Sequence, residues 1–408
     1  MKFTNTFTED FALTDDILSI GQMAKERKKQ NPKTIDATIG ALLDDQGKLL
    51  AFKSVEQTID TLDSAKVRAY PPVDGGKPFK QSLKQWVFQD TLKDIESAFN
   101  MDVLATPGAS GALSNVLANY VTKGDMVILP DIFWSNYAAI IHATEAGHVT
   151  YPMFKEGKFN LKAFKNTTNL IAKETNKVVV LLNDPCQNPT GYSLSMDELE
   201  QIITHLNELG KTIPVILIYD VAYLDYADLL YEDTRNRFKS FLKVTSSMLI
   251  TIAFSASKTF GIYGYRGGGV VALSKDKAVM EEFSRVALYK ARSTWSCPPT
   301  EPIFLLNTLQ DNDALKQAFL GELKDVRQLL QERATIFIEE AKSVGLTHYP
   351  YVAGFFVTIP VLEPKAVFER LKSKDIFVVP LSNAIRVALA AINVSEIKGL
   401  ATKIKAEI

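Results

Sequence analysis

Between residues 104 and 273 short, β-branched apolar runs alternate with stretches of helical periodicity. Runs this apolar on consecutive residues have no face to turn toward water. They predict central strands of a mostly parallel sheet covered by helices on both faces. The runs are Asp125–Leu129, Val178–Leu182, Val215–Tyr219, Met248–Phe254 and Gly269–Leu273. The helical stretches are Ala112–Tyr120, Asn136–Ala146 and Asp197–Leu209, the last introduced by Ser195 with Glu198 three residues on, a capping-box pair. From Asp311 to Val344 the pattern becomes long, charged and helical, and short strands follow at Phe355–Ile359, Ile376–Val379 and Ile385–Leu389. An α+β lobe distinct from the central sheet is expected there. The first roughly 45 residues fit neither pattern, and packing on that lobe is the expectation for them.

Composition narrows the function classes. The 408 residues hold 46 Lys plus Arg against 47 Asp plus Glu, so no overall field draws nucleic acid or anionic membrane. Two cysteines, Cys186 and Cys297, and four scattered histidines give no disulfide framework and no metal-site spacing, so no metal is expected. The opening residues carry acids where a signal peptide would be apolar, and no window nears the ~18 apolar residues of a membrane span. A cytoplasmic protein is the expectation.

In open α/β sheets ligands bind beyond the carboxyl ends of the strands, which directs attention to the residues just after each run. Leu104 is followed by Ala105–Gly111, Leu182 by Asn183–Gly191, Ile218 by Tyr219–Tyr223 and Ile252 by Ala253–Phe260. Lys258 lies in a Ser/Gly-rich turn after a strand; it is either a solvated loop lysine or an amine that attacks a carbonyl to form a Schiff base. Arg266, eight residues on, either grips a phosphate bidentately or forms a surface ion pair. The small-residue turn Gly108–Gly111, with Ser110, precedes the helix expected near Ala112 and could hold an anion on backbone N–H groups. Asp220 closes an apolar strand, either as a helix cap or as a carboxylate in need of a cationic partner. Tyr223 and Asn188 could donate beside it, and Trp134 could stack on a flat ring or belong to the core.

An amine for an imine, an acid for a ring nitrogen, donors for a phenolate oxygen and a Gly/Ser/Arg set for a phosphate match the groups of pyridoxal 5'-phosphate. Here the sequence resembles the fold-type I pyridoxal-phosphate aminotransferases of class I/II, the aspartate and aromatic amino-acid aminotransferase group. The matching segments are AYPPVDGG (69–76), GASGAL (108–113), WSNY (134–137), NPTG (188–191), YDVAY (219–223), SASKTFGIYGYR (255–266) and IRVALA (385–390). The resemblance implies a large cofactor domain at 46–295 with a seven-stranded sheet, and a smaller domain from 1–45 and 296–408. It implies that Lys258 forms the Schiff base and shuttles the proton, that Asp220 pairs with the pyridine nitrogen, and that Tyr223 and Asn188 bond the ring oxygen. Ser255, Arg266, Ala109 and Ser110 would hold the phosphate, with Tyr70 reaching it from the second subunit of a homodimer. Trp134 would stack on the ring. Arg386 would clamp the substrate α-carboxylate with Asn188 and the Gly40 backbone. The family usually has His where this chain has Tyr137, which leaves open how Asp220 is supported from that side.

The implied reaction is ping-pong transamination between an amino acid (aspartate, glutamate or aromatic) and a 2-oxo acid such as 2-oxoglutarate. A carbon–sulfur β-lyase with the same cofactor, or a non-catalytic effector-binding module of the same fold, are the alternatives. Arg292, in KARSTWSCPP, resembles the arginine that meets a distal substrate carboxylate; otherwise it and Lys290 form a solvated basic face beside Trp295.

Overall fold

The structure is a computed structural model that describes residues 3, 4, 6–8, 16–227 and 233–408. The other residues of the expected 1–45 and 46–295 segments lie outside the described residues. The chain forms two compact units, one of Leu49–Gln331 with Pro350–Gly354, the other of Met1–Lys48, Glu332–Tyr349 and Phe355–Ile408.

The larger unit is built on a seven-stranded sheet: β1 (Asn100–Pro107), β2 (Met126–Pro130), β3 (Gly147–Tyr151), β4 (Val178–Asn183), β5 (Val215–Asp220), β6 (Leu249–Ser255) and β7 (Gly267–Ser274), in the order β1-β7-β6-β5-β4-β2-β3. Six strands run the same way and β7 is antiparallel to both its neighbours, β1 and β6. The sheet is therefore mostly parallel, as the apolar runs predicted. Every residue of β4, β5, β6 and β7 is buried, the outcome of helices on both faces. Leu217 and Ile250 have no exposed surface, and truncating either to Ala should cost about 2–5 kcal/mol.

The two edge strands carry the weakest sequence signal. In β3 half-buried and exposed positions alternate and only Tyr151 is buried, so Gly147–Tyr151 lacks the continuous apolar run of a central strand. The expected helix Asn136–Ala146 accordingly ends at His142, and Glu145, at φ 64°, turns the chain into β3. The helix expected from Ala112 begins instead at Gly108. Small residues there carry no bulky side chain to mark the first turn, and the packing of Gly108 against β7 sets the start. A Cβ on Gly268 would lie 2.6 Å from the Gly108 carbonyl carbon. The helix Met196–Leu209 opens with the expected capping box between Ser195 and Glu198.

The smaller unit is α+β. Its sheet pairs Phe356–Pro360 and Val379–Pro380 with Ala384–Ala388, all antiparallel, and Ile35 pairs in parallel with Ile376. Leu43 N–H donates to the Ala390 carbonyl at 2.9 Å, so N-terminal and C-terminal segments share one core.

Candidate active site

Sheet register sets the site. Asp220 at the end of β5 lies between Asn183 of β4 and Ala253 of β6, and Gly268 of β7 lies between Ser255 of β6 and Thr106 of β1. Strand ends separated by more than a hundred residues in sequence thus form one row.

Lys258 sits in the short helix Ala256–Thr259 immediately after β6. Its Nζ is 5.6 Å from the Tyr223 ring centroid and 4.8 Å from that of Tyr263. Two aromatic faces favour a cation there. The segment around the lysine is anchored from below. Tyr226 Oη donates to the Lys258 carbonyl at 2.8 Å, and Thr259 donates to the buried carboxylate of Asp225, which also pairs with Arg235 and accepts from Trp86 Nε1 at 3.3 Å. Arg327 adds a 2.6 Å bond to the Asp225 carbonyl.

Asp220 is 3% exposed. Its Oδ2 accepts from Tyr137 Oη at 2.6 Å and its Oδ1 from Ala222 N–H at 2.9 Å. Burial pushes the carboxyl up to about 6, opposed by the Tyr137 and Ala222 hydrogen bonds and by the charge of Lys258. A buried carboxylate near neutrality with a lysine in electrostatic reach is a site signature. The support that seemed open at position 137 is present, from a phenol. Tyr137 is buried and its ring meets Trp134 edge-on, with centroids 5.3 Å apart.

Arg266, at φ 55° in the left-handed region, donates to Ser257 Oγ at 3.1 Å and to the Tyr263 carbonyl at 2.9 Å. Gly108 lies against its guanidinium, with Ala109 and Ser110 next in the first turn of the helix. Arg266 and Gly108 are therefore brought together and Ser257 joins them, while Ser255 lies opposite Gly268; Ser257 falls inside the segment 255–266 read from the sequence but was not among the residues expected to hold phosphate. Asn188 is buried, follows Asn183 through a bond from its N–H to Asn183 Oδ1 at 2.7 Å, and precedes a cis proline. Asp184, bonded by Leu194 N–H at 2.7 Å and paired with Arg237 and Tyr219, anchors the same loop.

Tyr70 is 93% exposed, and Arg292 is exposed at the end of the helix Lys277–Thr294, where it donates to Ser296 Oγ. Trp295 packs against the large core. Arg386 belongs to the smaller unit, buried, with Nη2 donating to the Thr38 carbonyl at 2.7 Å and its guanidinium 4.4 Å from the Phe356 ring centroid. Gly40 lies in the same unit. Among the described residues no cluster of His, Cys, Asp or Glu could hold a metal, and no helix is long and apolar enough to cross a membrane.

The donor set fits pyridoxal 5'-phosphate. Asp220 would hold a cationic ring nitrogen, Lys258 would bond the carbonyl carbon, and the Arg266, Ser257 and Gly108 cradle would take the phosphate, where Gly108 leaves a gap that a Cβ would fill.

The chain is similar to known aminotransferases. The aromatic-amino-acid aminotransferase of Paracoccus denitrificans is 27% identical over 406 residues, covering 96% of each chain. A solved aminotransferase from Anaerococcus prevotii superposes with a TM-score of 0.94 at 29% identity, covering 100% of this chain and 99% of that one. An aromatic-amino-acid aminotransferase from Burkholderia pseudomallei, solved covalently bound to pyridoxal phosphate, shares the fold with a TM-score of 0.81 at 20% identity, over 99% of this chain and 100% of that one. The family model for aminotransferase class I and II matches residues 32–404, nearly the whole chain, so this chain is a member of that family and an enzyme that transfers nitrogenous groups.

Proposed function

We propose that this enzyme exchanges an amino group between an amino acid, acidic or aromatic, and a 2-oxo acid such as 2-oxoglutarate, in two half-reactions at one site. The observation that carries the reading is Lys258 beside Tyr223, within electrostatic reach of the buried Asp220. The cofactor is pyridoxal 5'-phosphate, whose ring, when bound, withdraws the electron pair left on the substrate α-carbon.

The chain's own residues do the rest. Asp220 keeps the ring nitrogen cationic, because a carboxylate in a desolvated site needs a cation opposite it. Tyr223 and Asn188 orient the ring oxygen. Lys258 Nζ would take the proton from the substrate α-carbon and pass it to C4' of the cofactor, acting as general base and then general acid. Arg266, Ser255, Ser257 and the amides of Ala109 and Ser110 would bind the phosphate. Trp134, held edge-on to Tyr137, would offer an aromatic face to the ring. Arg386 and the Gly40 backbone of the same unit would bind the α-carboxylate.

We assign the cofactor domain to the larger compact unit, which takes in residues 296–331 beyond the expected 46–295, and the smaller domain to the other unit. The working unit in this reading is a cytoplasmic homodimer. Exposed Tyr70 and Arg292 support it, since each needs a second subunit to meet a phosphate or a distal carboxylate. Cys186 and Cys297, both outside any disulfide, suit a reducing compartment.

The test is a screen of amino acids with 2-oxoglutarate, following the oxo acid released. Parallel double-reciprocal lines support two half-reactions through one site. Release of ammonia and pyruvate from a sulfur-bearing substrate in place of amino transfer would assign the chain to elimination instead.

A further inference from the structure

We propose that Tyr137 is a positioning residue, whose phenol fixes the orientation of the Asp220 carboxylate and keeps it ionised so that this acid can pair with the cofactor's ring nitrogen. The inference rests on the cofactor reading above and adds a residue that its catalytic and binding set does not contain.

The geometry is specific. Asp220 receives one donor on each oxygen, Tyr137 Oη on Oδ2 and Ala222 N–H on Oδ1, which fixes rotation of the carboxylate. Tyr137 cannot easily move away. It is 2% exposed, edge-on to Trp134, and stacked at 6.5 Å centroid separation against Phe133. The donor and acceptor are 83 residues apart, so the contact exists only because the helix Asn136–His142 packs at the end of β5.

The chemistry follows from what a phenol is. Burial, and then the negative charge of Asp220, push the Tyr137 hydroxyl far above the usual phenol range, so it stays a neutral donor across physiological pH. A neutral O–H donor stabilises an ionised carboxylate and gives little to a protonated one. The ionisable groups facing Asp220 are Tyr137 and Lys258, with Tyr223 facing Tyr137; the flanking strands present Asn183 and Ala253, which do not titrate. Removing the phenol therefore removes the principal donor that offsets burial of the acid. A less ionised Asp220 holds the ring nitrogen's proton less firmly, the ring withdraws electrons less, and other groups on the bound cofactor ionise at higher pH.

The test compares wild-type holoenzyme with Tyr137→Phe, which keeps the ring packed against Trp134 and deletes the donor. The first measurement needs no turnover: the midpoint of the pH titration of the bound cofactor's visible absorbance. It should rise by on the order of one pH unit in Tyr137→Phe. The second is the kinetic split, with kcat falling roughly 10- to 100-fold and KM changing by less than about twofold. Tyr137→His, which keeps a donor at this position, should bring the midpoint back toward wild type above neutral pH, and Tyr137→Leu, which also deletes the donor, carries the test if the Phe variant fails to fold. An unchanged midpoint in Tyr137→Phe, or in Tyr137→Leu where the Phe variant fails to fold, overturns the inference and leaves the cofactor reading standing. A wild-type protein that develops no visible absorbance with pyridoxal phosphate overturns both.

Discussion

Gly108 and Arg266 are in direct apposition: a Cβ atom on Gly108 would lie 2.8 Å from Arg266 Nη2. The glycine also sits at φ 71°, a conformation that other residues adopt only at a cost. A side chain here would displace the guanidinium from the place where the Ser257 hydroxyl and the Tyr263 carbonyl hold it. Gly108→Ala should weaken binding of pyridoxal phosphate by about tenfold or more, from strain of roughly 1–2 kcal/mol and a displaced arginine. Titration of the cofactor-free protein measures this directly. Unchanged affinity would show that Arg266 yields without cost and does not anchor the phosphate.

Lys258→Ala should still bind pyridoxal phosphate through the phosphate cradle, and should turn over slower by roughly three orders of magnitude or more, since nucleophile and proton carrier are lost together. The Tyr226 bond to the residue's carbonyl involves only main chain, so the fold should survive the change. Near wild-type activity would displace Lys258 from its assigned role.

Asp220 should trade stability for chemistry. Its folded-state acidity constant, about 6, lies above its ordinary value of 3.8, so the folded protein without cofactor holds the proton more tightly than the unfolded chain. Stability from this group is therefore complete below pH ~3.8 and falls as pH rises toward 6. Asp220→Asn should abolish that fall, and at pH 7 should stabilise the cofactor-free protein by on the order of 2 kcal/mol in denaturant titrations. In the holoenzyme the same change should cut kcat far more than it raises KM. A cofactor-free variant no more stable than wild type at pH 7 would mean that Asp220 carries no such burden.

Arg292→Leu should reduce activity toward aspartate or glutamate by roughly a hundredfold or more while sparing phenylalanine, because a desolvated distal carboxylate would lose its bidentate partner. Rates of both substrate types on the same preparation provide the check. Equal losses, or none, would return Arg292 to the solvated helix end where it bonds Ser296 in the single chain.

What the sequence by itself determined lies in short windows. Buried strands announce themselves by continuous β-branched runs, and Asp220, Lys258 and Asn188 follow such runs by a residue or a few, so the central sheet and the row of polar strand ends could be read directly. Ser195 and Glu198 did the same for a helix start. Edge strand β3 was silent because an edge need not be apolar on both faces, and the start of the helix at Gly108 was masked by small residues with no side chain to show a periodicity. The contacts that tune the site were decided only by tertiary structure. Tyr137 meets Asp220 across 83 residues, Arg235 meets Asp225 beneath the lysine segment, and Gly108 meets Arg266 because β1 and β7, far apart in sequence, are neighbours in the sheet. A hydrogen bond depends on where two chain segments are brought within about 3 Å, and that distance is set by strand order and register, which no local pattern of residue types encodes.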